Sequence, residues 1–496
     1  MGVKKSGCET MTGHRITMLG SHDSALQEWF CGHPDGHERG AFVMFRRLAR
    51  VVNHIPASDR FLAVHVIELS GDWIIDSSST HLTINMRKLP EIYFKCETEG
   101  LVLGFAHNHP VSSIEFSTQD EINELNILHG LSGCNGEASI LVAMTLTDGR
   151  WNSRIRQGHS PRSVLPVRHL SVLSDKIDLH GITLPDETPE ILLRQEAAFG
   201  KPFNSKLHSL RAVVVGAGGT GSAVATLLAR AGIGELIIID GDDLAGSNMN
   251  RVRGYRAKDI GNNKAVSLKD FIDSLKLNIS VTAINGYLNE SYGAIDAVSS
   301  ADVVFGCTDD IAGRNMMNQA IYYHAQVYID CGLTGRVDVH EDGFPYLRDH
   351  RGRVSCILPE FGACLRCQRV VTDEKLKYEQ AIKDNPELAK LDPDTLKREY
   401  YLVGGGEQAP GVGPFTSATA DNVVATFMDL IRPYRSISEE LRQDNIWIDF
   451  VHMTIHSNEP VDDPNCICCR THLLLLRNEG KYRLEMPILG EINGPE

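Results

Sequence analysis

Two rhythms of apolar and polar positions divide this chain. From about residue 38 to 160, short apolar runs such as "AFVMF", "FLAVHVIEL", "LVLGFAH" and "SILVAMTL" are separated by polar or Gly/Pro-containing segments. That pattern predicts an α+β domain with a substantial sheet and one helical stretch at 118–129. From residue 207 the runs "RAVVVGAGG", "ELIIID", "ADVVFGCT" and "QVYIDCG" alternate with helical segments "GSAVATLLARAG", "KAVSLKDFIDSL" and "GRNMMNQAIYYHA". Strand and helix in alternation predict an α/β, doubly wound domain on a parallel sheet. Between the two, Pro161, Pro166, Pro185 and Pro189 stand among charged residues before "PEILLRQEAAFG". They read as a linker leading into a short helix. The expected division is a domain at 1–165, linker and helix at 166–205, and a second domain at 206–496 with a charged, helix-prone insertion at 371–402.

Composition narrows the function. A chain of 496 residues exceeds what a single core serves, which agrees with two domains. Apolar residues at 42% and charged residues at 23% suit a soluble protein, and no run of apolar residues is long enough to span a membrane. Lys and Arg total 49 against 64 for Asp and Glu, a net charge of −15, which repels a phosphate backbone and weighs against nucleic acid as the main partner. Small molecules and proteins are the better candidates. The first residues, "MGVKKSGCETMTGHRITMLG", lack the apolar stretch of a secretory signal, so the cytoplasm is the expected location. Twelve cysteines in such a chain read as thiols and metal ligands.

Three clusters carry chemistry. In "AHNHPVSSIEFSTQDE", His107 and His109 lie two apart on an apparent strand, so both project to one face and converge on one ion. Ser117 and Asp120 follow at the start of a helical pattern. They equally fit a capping box, with Gly130 as the stop, but capping leaves two histidines unexplained. In "VVVGAGGTGSAVATLLARAG", Gly216, Gly218, Gly219 and Gly221 stand between strand and helix, where phosphates approach backbone N–H groups. Asp240 ends the next strand, placed to accept from ribose hydroxyls. Up to this point an NAD-dependent dehydrogenase fits as well as an ATP-binding enzyme. Finally, Cys364-x-x-Cys367 and Cys466-x-x-Cys469 have the spacing of a structural four-cysteine zinc site.

The first cluster, His-x-His followed by seven residues and Ser-x-x-Asp, resembles the JAMM motif of the JAB/MPN metallopeptidases, over roughly residues 25 to 160. The resemblance implies that His107, His109 and Asp120 hold zinc with one water. It also implies that Glu38, in "HPDGHERGAFVMF", acts on that water. Three protein ligands leave one tetrahedral position for water, and Ser117 is placed to donate to an oxyanion. Downstream of the glycines, "DGDDLAGSNMNRVRG", "DIGNNKA" and "ADVVFGCTDDIAGRN" resemble the E1-like ThiF/MoeB adenylating enzymes over roughly residues 190 to 475. A dehydrogenase has no use for these motifs. The resemblance implies ATP at the glycine turn with Asp240 and Asp242 beside it, Asn248, Arg251 and Lys264 on the phosphates, and Asp309 holding Mg²⁺. Arg194 matches an arginine that the family passes across a homodimer, and the paired cysteines match its zinc knuckles.

Together the resemblances imply a JAB–E1 fusion acting on a ubiquitin-like protein. One site cuts behind its diglycine tail, and the other adenylates that tail for an E2-like protein, as in bacterial conjugation operons associated with phage defence. Activation of a sulfur-carrier protein for cofactor or cysteine biosynthesis is the alternative, and a scaffold without activity is a third. Conjugating relatives carry the modifier on a cysteine between the knuckles, but residues 368–465 contain none. The hydroxyls of Thr416 and Ser417, expected just before a helix with Ser417 as its cap, or direct transfer from the adenylate, are the substitutes.

Overall fold

The computed structural model describes residues 13–48, 59–110, 115–391, 393–400, 402, 411–435, 445–457 and 463–470. The chain divides into two units: among the described residues the first holds those up to Glu187 together with Tyr323–Ala325, and the second the rest from Thr188.

Among the described residues, the first unit contains a nine-stranded mixed sheet. Its order is Ile177–His180, Val167–Leu173, His14–Leu19, Arg60–Glu68, Gly40–Leu48, Val102–Asn108, Ile140–Thr147, Arg150–Gln157 and Ser160–Leu165. The run "AFVMF" is continuous because its strand is covered on both faces. Phe42 and Met44 pack with Leu103, Phe105 and Ile127, while Ala41, Val43 and Phe45 pack with Ile16, Phe61, Leu26 and Phe30. Each large apolar side chain so buried contributes roughly 1.5–3 kcal/mol. Helices Leu89–Glu99 and Thr118–Asn135 supply one face and helix Gly20–Cys31 the other.

Two expectations change here. The first unit does not end at 165, because Val167–Leu173 pairs in parallel with His14–Leu19, setting Leu170 beside Ile16, and Ile177–His180 follows antiparallel. The segment 166–187 is therefore sheet and turn of this unit rather than linker. Nor does the helix stop at Gly130; it runs to Asn135 and ends before Gly136. Gly130 serves packing instead. A Cβ there would lie 2.7 Å from the Tyr93 hydroxyl, which donates to the Ile127 carbonyl at 2.9 Å.

The second unit contains an eight-stranded sheet among the described residues. The order is Ser280–Ile284, Glu235–Ile239, Arg211–Val215, Val303–Gly306, Val327–Val339, Pro345–Ile357, Asn445–Asp449 and Thr454–Ser457. The first five strands are parallel and the last three antiparallel additions. The chain starts at Arg211–Val215, winds outward to Ser280–Ile284, then returns to pair Val303–Gly306 on the other side. This reversal opens a crevice at the carboxyl ends of those two strands, where such sheets bind ligands. Residues 371–402 are mainly helical as expected: helix Asp373–Asp384, a 3₁₀ turn Pro386–Lys390 and helix Pro393–Glu399. Helix Gly413–Ile431 begins earlier than expected, with Val412 at its N-cap. Thr416 and Ser417 consequently lie inside its opening turns, and Ser417 is not a cap.

Candidate functional sites

The two ends of one strand and one helix build the first site. His107 is the last residue but one of strand Val102–Asn108, and the pairing continues one residue past the strand, where the His109 N–H donates to the Leu146 carbonyl at 2.9 Å. Strand alternation turns both imidazoles to one face. Asn108 points the other way and accepts the Arg39 N–H at 2.7 Å. Asp120 arrives from the third position of helix Thr118–Asn135. His107 Nε2 stands 3.1 Å from His109 Nε2 and 2.9 Å from Asp120 Oδ1, and His109 Nε2 is 3.4 Å from Asp120 Oδ2. Ligand bonds of about 2.0–2.1 Å in a tetrahedron require ligand atoms roughly 3.3 Å apart, so this donor set fits zinc.

Glu38 precedes strand Gly40–Leu48, in which Gly40 pairs with His107. Its N–H donates to the Ser78 carbonyl at 2.7 Å, and its side chain is buried although it stands outside the strand. Burial raises its pKa, against the pull of His107 and His109. Asp120 is driven the other way: burial opposes ionisation, but hydrogen bonds from His107 and His109 hold the carboxyl well below the usual range. The capping box exists as well. Ser117 Oγ accepts the Asp120 N–H at 3.2 Å, and Asp120 Oδ2 accepts the Ser117 N–H at 2.6 Å. The cap uses a lone pair of Ser117 Oγ and does not require its proton.

One sequence-silent feature supports this site. Glu124, one turn beyond Asp120 and on the same side of the helix, is buried and binds Arg154 Nε at 2.9 Å and Arg156 Nε at 2.8 Å. Two arginines of strand Arg150–Gln157 thereby fix the helix that carries Asp120. Alternation at 154 and 156 was visible in the sequence, but not the helix that they face.

The second site lies in the crevice of the parallel sheet. Gly216 adopts φ +90°, and its N–H donates to the Ile239 carbonyl at 2.8 Å. A Cβ at Gly221 would sit 1.8 Å from the Gly216 carbonyl oxygen, so the turn closes only with glycine there. Among the described residues, Gly218 faces open space and caps helix Gly219–Ala231 without any side-chain bond, an arrangement suited to an anion at the first turn. Arg251 is brought over this turn: a Cβ at Gly219 would lie 3.3 Å from its Cγ. The backbone of Cys307 and Thr308 abuts Gly216, and Asp309 follows, exposed.

Other expected residues take local partners. Asp240 Oδ2 accepts the Ala217 N–H at 2.6 Å and Oδ1 the Asp242 N–H at 2.8 Å, so it braces the glycine turn. Burial raises its pKa, and these two N–H groups moderate the rise. Asp242 binds Lys264 Nζ at 2.7 Å and the Tyr287 hydroxyl at 2.7 Å; these contacts lower its pKa. Asn248 Oδ1 accepts the Ala245 N–H at 3.0 Å within a 3₁₀ turn. Arg194 is exposed on the short helix Leu193–Phe199. Thr416 is buried and donates to the Gly413 carbonyl at 2.9 Å, while Ser417 is half-buried.

Cys364, Cys367, Cys466 and Cys469 converge despite the long separation of their pairs. Cys364 Sγ stands 3.8 Å from Cys367 Sγ and 3.6 Å from Cys466 Sγ, and Cys367 Sγ is 3.6 Å from Cys469 Sγ. A zinc–sulfur bond of about 2.3 Å gives a tetrahedral edge of roughly 3.8 Å, which these distances approach. Cys468 is turned out of the set, with the Asn318 amide donating to its Sγ at 2.9 Å. The same Asn318 accepts the Leu365 N–H at 2.8 Å and so joins the two knuckles.

A model of the ThiF family matches residues 192–468. The SAMP-activating enzyme E1 of Haloferax volcanii is 30% identical over 34% of this chain and 56% of its own length. The molybdopterin-synthase adenylyltransferase of Escherichia coli is 31% identical over 32% of this chain and 64% of its own. The ubiquitin-like modifier-activating enzyme 5 of Dictyostelium discoideum is 27% identical over 39% and 50%. This chain thus spans about half to two thirds of the length of these relatives. The solved structure of Escherichia coli MccB with ATP is 22% identical, covers 58% of this chain and 76% of that one, and has a TM-score of 0.41.

Proposed function

The chain belongs to the ThiF family, and from that premise we propose that its second unit adenylates the terminal carboxylate of a ubiquitin-like protein at the expense of ATP. The observation that carries this reading is the uncapped helix N-terminus at Gly218 and Gly219 with Arg251 over it and Lys264 nearby on Asp242. The backbone N–H groups and Arg251 bind the phosphates, and Lys264 exchanges Asp242 for them. Both functions offset the repulsion between an attacking carboxylate and the α-phosphate. Asn248 shapes the turn before Arg251. Asp309, exposed at the end of the strand beside the glycine turn, is suited to hold Mg²⁺, which when bound neutralises charge on the phosphates and the leaving pyrophosphate. Arg194 supports a homodimer in which it reaches the partner subunit's nucleotide. Modifier-dependent exchange of labelled pyrophosphate into ATP tests the reading, with a loss of about 10²-fold expected for Asp309→Ala. Exchange at the wild-type rate in that variant refutes the role.

The first unit is proposed to be a JAMM-type zinc isopeptidase that matures or removes the same modifier. The His107, His109 and Asp120 donor set with buried Glu38 beside it carries this reading. Zinc held by these three residues would lower the pKa of a water and polarise a carbonyl. Glu38, kept basic by burial, takes the water's proton and passes it to the leaving amine, while the Ser117 hydroxyl donates to the oxyanion. Cleavage behind a diglycine tail should fall at least about 10²-fold in Glu38→Ala. Unchanged cleavage refutes it.

Transfer from the adenylate to an external acceptor suits this chain, since residues 368–465 offer no cysteine and Thr416 is spent on the Gly413 carbonyl. An E2-like protein is the proposed acceptor, in a cytoplasmic conjugation pathway of the phage-defence kind. The same feature also favours sulfur-carrier activation, which needs no carrier thiol between the knuckles.

A further inference from the structure

Helix Asp373–Asp384, between the two cysteine pairs, buries none of its residues, so packing does not account for its place. What it delivers is one carboxylate. Glu379 Oε1 accepts the Ile311 N–H and Oε2 the Ala312 N–H, each at 2.7 Å. The next donor, the Gly313 N–H, goes to Asp310 Oδ2 at 2.5 Å, and the Arg314 N–H to the Asp310 carbonyl at 3.4 Å. The first-turn N–H groups of helix Ile311–His324, which have no partner within the helix, are all used. Two of them go to a residue more than sixty positions away in sequence.

Helix Gly219–Ala231 is the contrast. The two helices follow neighbouring parallel strands, Arg211–Val215 and Val303–Gly306, and so both begin at the carboxyl edge of the sheet. Each N-terminus attracts an anion. At Gly219 no side chain of the described residues caps it; at Ile311 a protein carboxylate fills it. Glu379 also pins the backbone immediately after Asp309, whose neighbour Asp310 is bound to the Thr308 hydroxyl. The helix bearing Glu379 is itself anchored beside the first cysteine pair. Lys375 Nζ donates to the Arg369 and Val370 carbonyls at 3.0 and 3.1 Å, and Arg366 Nη1 to Asp373 Oδ1 at 2.8 Å.

We infer that Glu379 is a positioning residue: from the insertion between the knuckles it clamps the loop that presents Asp309 and keeps phosphate off the second helix N-terminus. The inference rests on the adenylation reading of this site. The test compares wild type, Glu379→Ala and Glu379→Gln by hydrogen–deuterium exchange over residues 307–314. Electron paramagnetic resonance of Mn²⁺ binding with a non-hydrolysable ATP analogue, and pyrophosphate exchange, complete it. Glu379→Ala should deprotect the Ile311 and Ala312 amides and weaken Mn²⁺ about tenfold, as loss of an outer-shell partner does. Saturating metal should restore much of the exchange rate. Glu379→Gln, which keeps one acceptor oxygen, should fall between the two. Zinc content should stay at the wild-type level in both variants, since neither removes a cysteine. Wild-type Mn²⁺ affinity in Glu379→Ala, with or without a fall in melting temperature, overturns the clamp while leaving adenylation standing. A wild type that shows no pyrophosphate exchange overturns the adenylation reading itself, and the clamp's proposed purpose with it.

Discussion

Gly218 and Gly221 are three residues apart, yet alanine at each should fail differently. At Gly221 the new methyl would lie 1.8 Å from the Gly216 carbonyl oxygen and 2.8 Å from its carbon. An unstrained C···O approach is about 3.3 Å, so the strand end and the helix must part by roughly 1.5 Å. Gly216 cannot yield freely, because its N–H is bound to Ile239 and a Cβ on it would meet Cys307 oxygen at 2.7 Å. Overpacking of a core costs about 1–3 kcal/mol, and backbone overlap of this depth belongs at the upper end. At 2–4 °C per kcal/mol, the second unit should melt about 6–12 °C lower. At Gly218 no described atom stands within 4 Å of the new methyl, although φ −76° with ψ −150° lies at the margin of the extended region that L-residues adopt. Stability should therefore fall by no more than about 1 kcal/mol, because the lower entropy of the unfolded chain offsets part of the backbone strain. The methyl would nevertheless occupy the space through which a phosphate reaches the helix N-terminus, so ATP affinity should fall at least about tenfold. Differential scanning calorimetry and equilibrium ATP binding on both variants provide the comparison. Wild-type ATP affinity in Gly218→Ala, or equal melting losses in the two variants, would refute the reasoning.

Metal analysis should find about two zinc ions per chain, with His109→Ala and Cys466→Ser each removing one. Only Cys466→Ser should also lower the melting temperature of the second unit, because the knuckles join segments about a hundred residues apart; identical zinc content in all three proteins would contradict both sites. After ATP and modifier are added, denaturing gels should show no thiol-sensitive adduct on this chain. An adduct mapped to any of its cysteines sinks direct transfer, and one resistant to thiol but absent in Ser417→Ala would instead establish an oxygen ester.

Part of both candidate sites was legible without coordinates, because some of their residues stand at short-range periods, while Glu38, Arg251, Lys264 and Asp309 were marked only by family resemblance. Two residues on a strand share a face, so His107 and His109 could converge, and they do. Glycines between a strand and a helix have one steric purpose, and the spacing of Cys364 with Cys367 and of Cys466 with Cys469 suits one ion. Continuous apolar runs likewise announced doubly covered strands. What the sequence left open depends on partners with no period in common. The parallel pairing of Val167–Leu173 with His14–Leu19, which carries the first unit past residue 165, joins the two ends of that unit. Gly130 looked like a helix stop because local propensity cannot register Tyr93 packing against it. Asn318 gave no hint of joining the knuckles, nor Glu124 of being held by two arginines. Glu379 is the extreme case: in a charged, exposed helix every acidic residue looks alike, and only the folded chain selects the one whose carboxylate meets two unpaired backbone N–H groups. Local sequence thus picked out the residues of the candidate sites, and tertiary pairing decided what holds them still, because a hydrogen bond across the fold leaves no trace in the spacing of either partner.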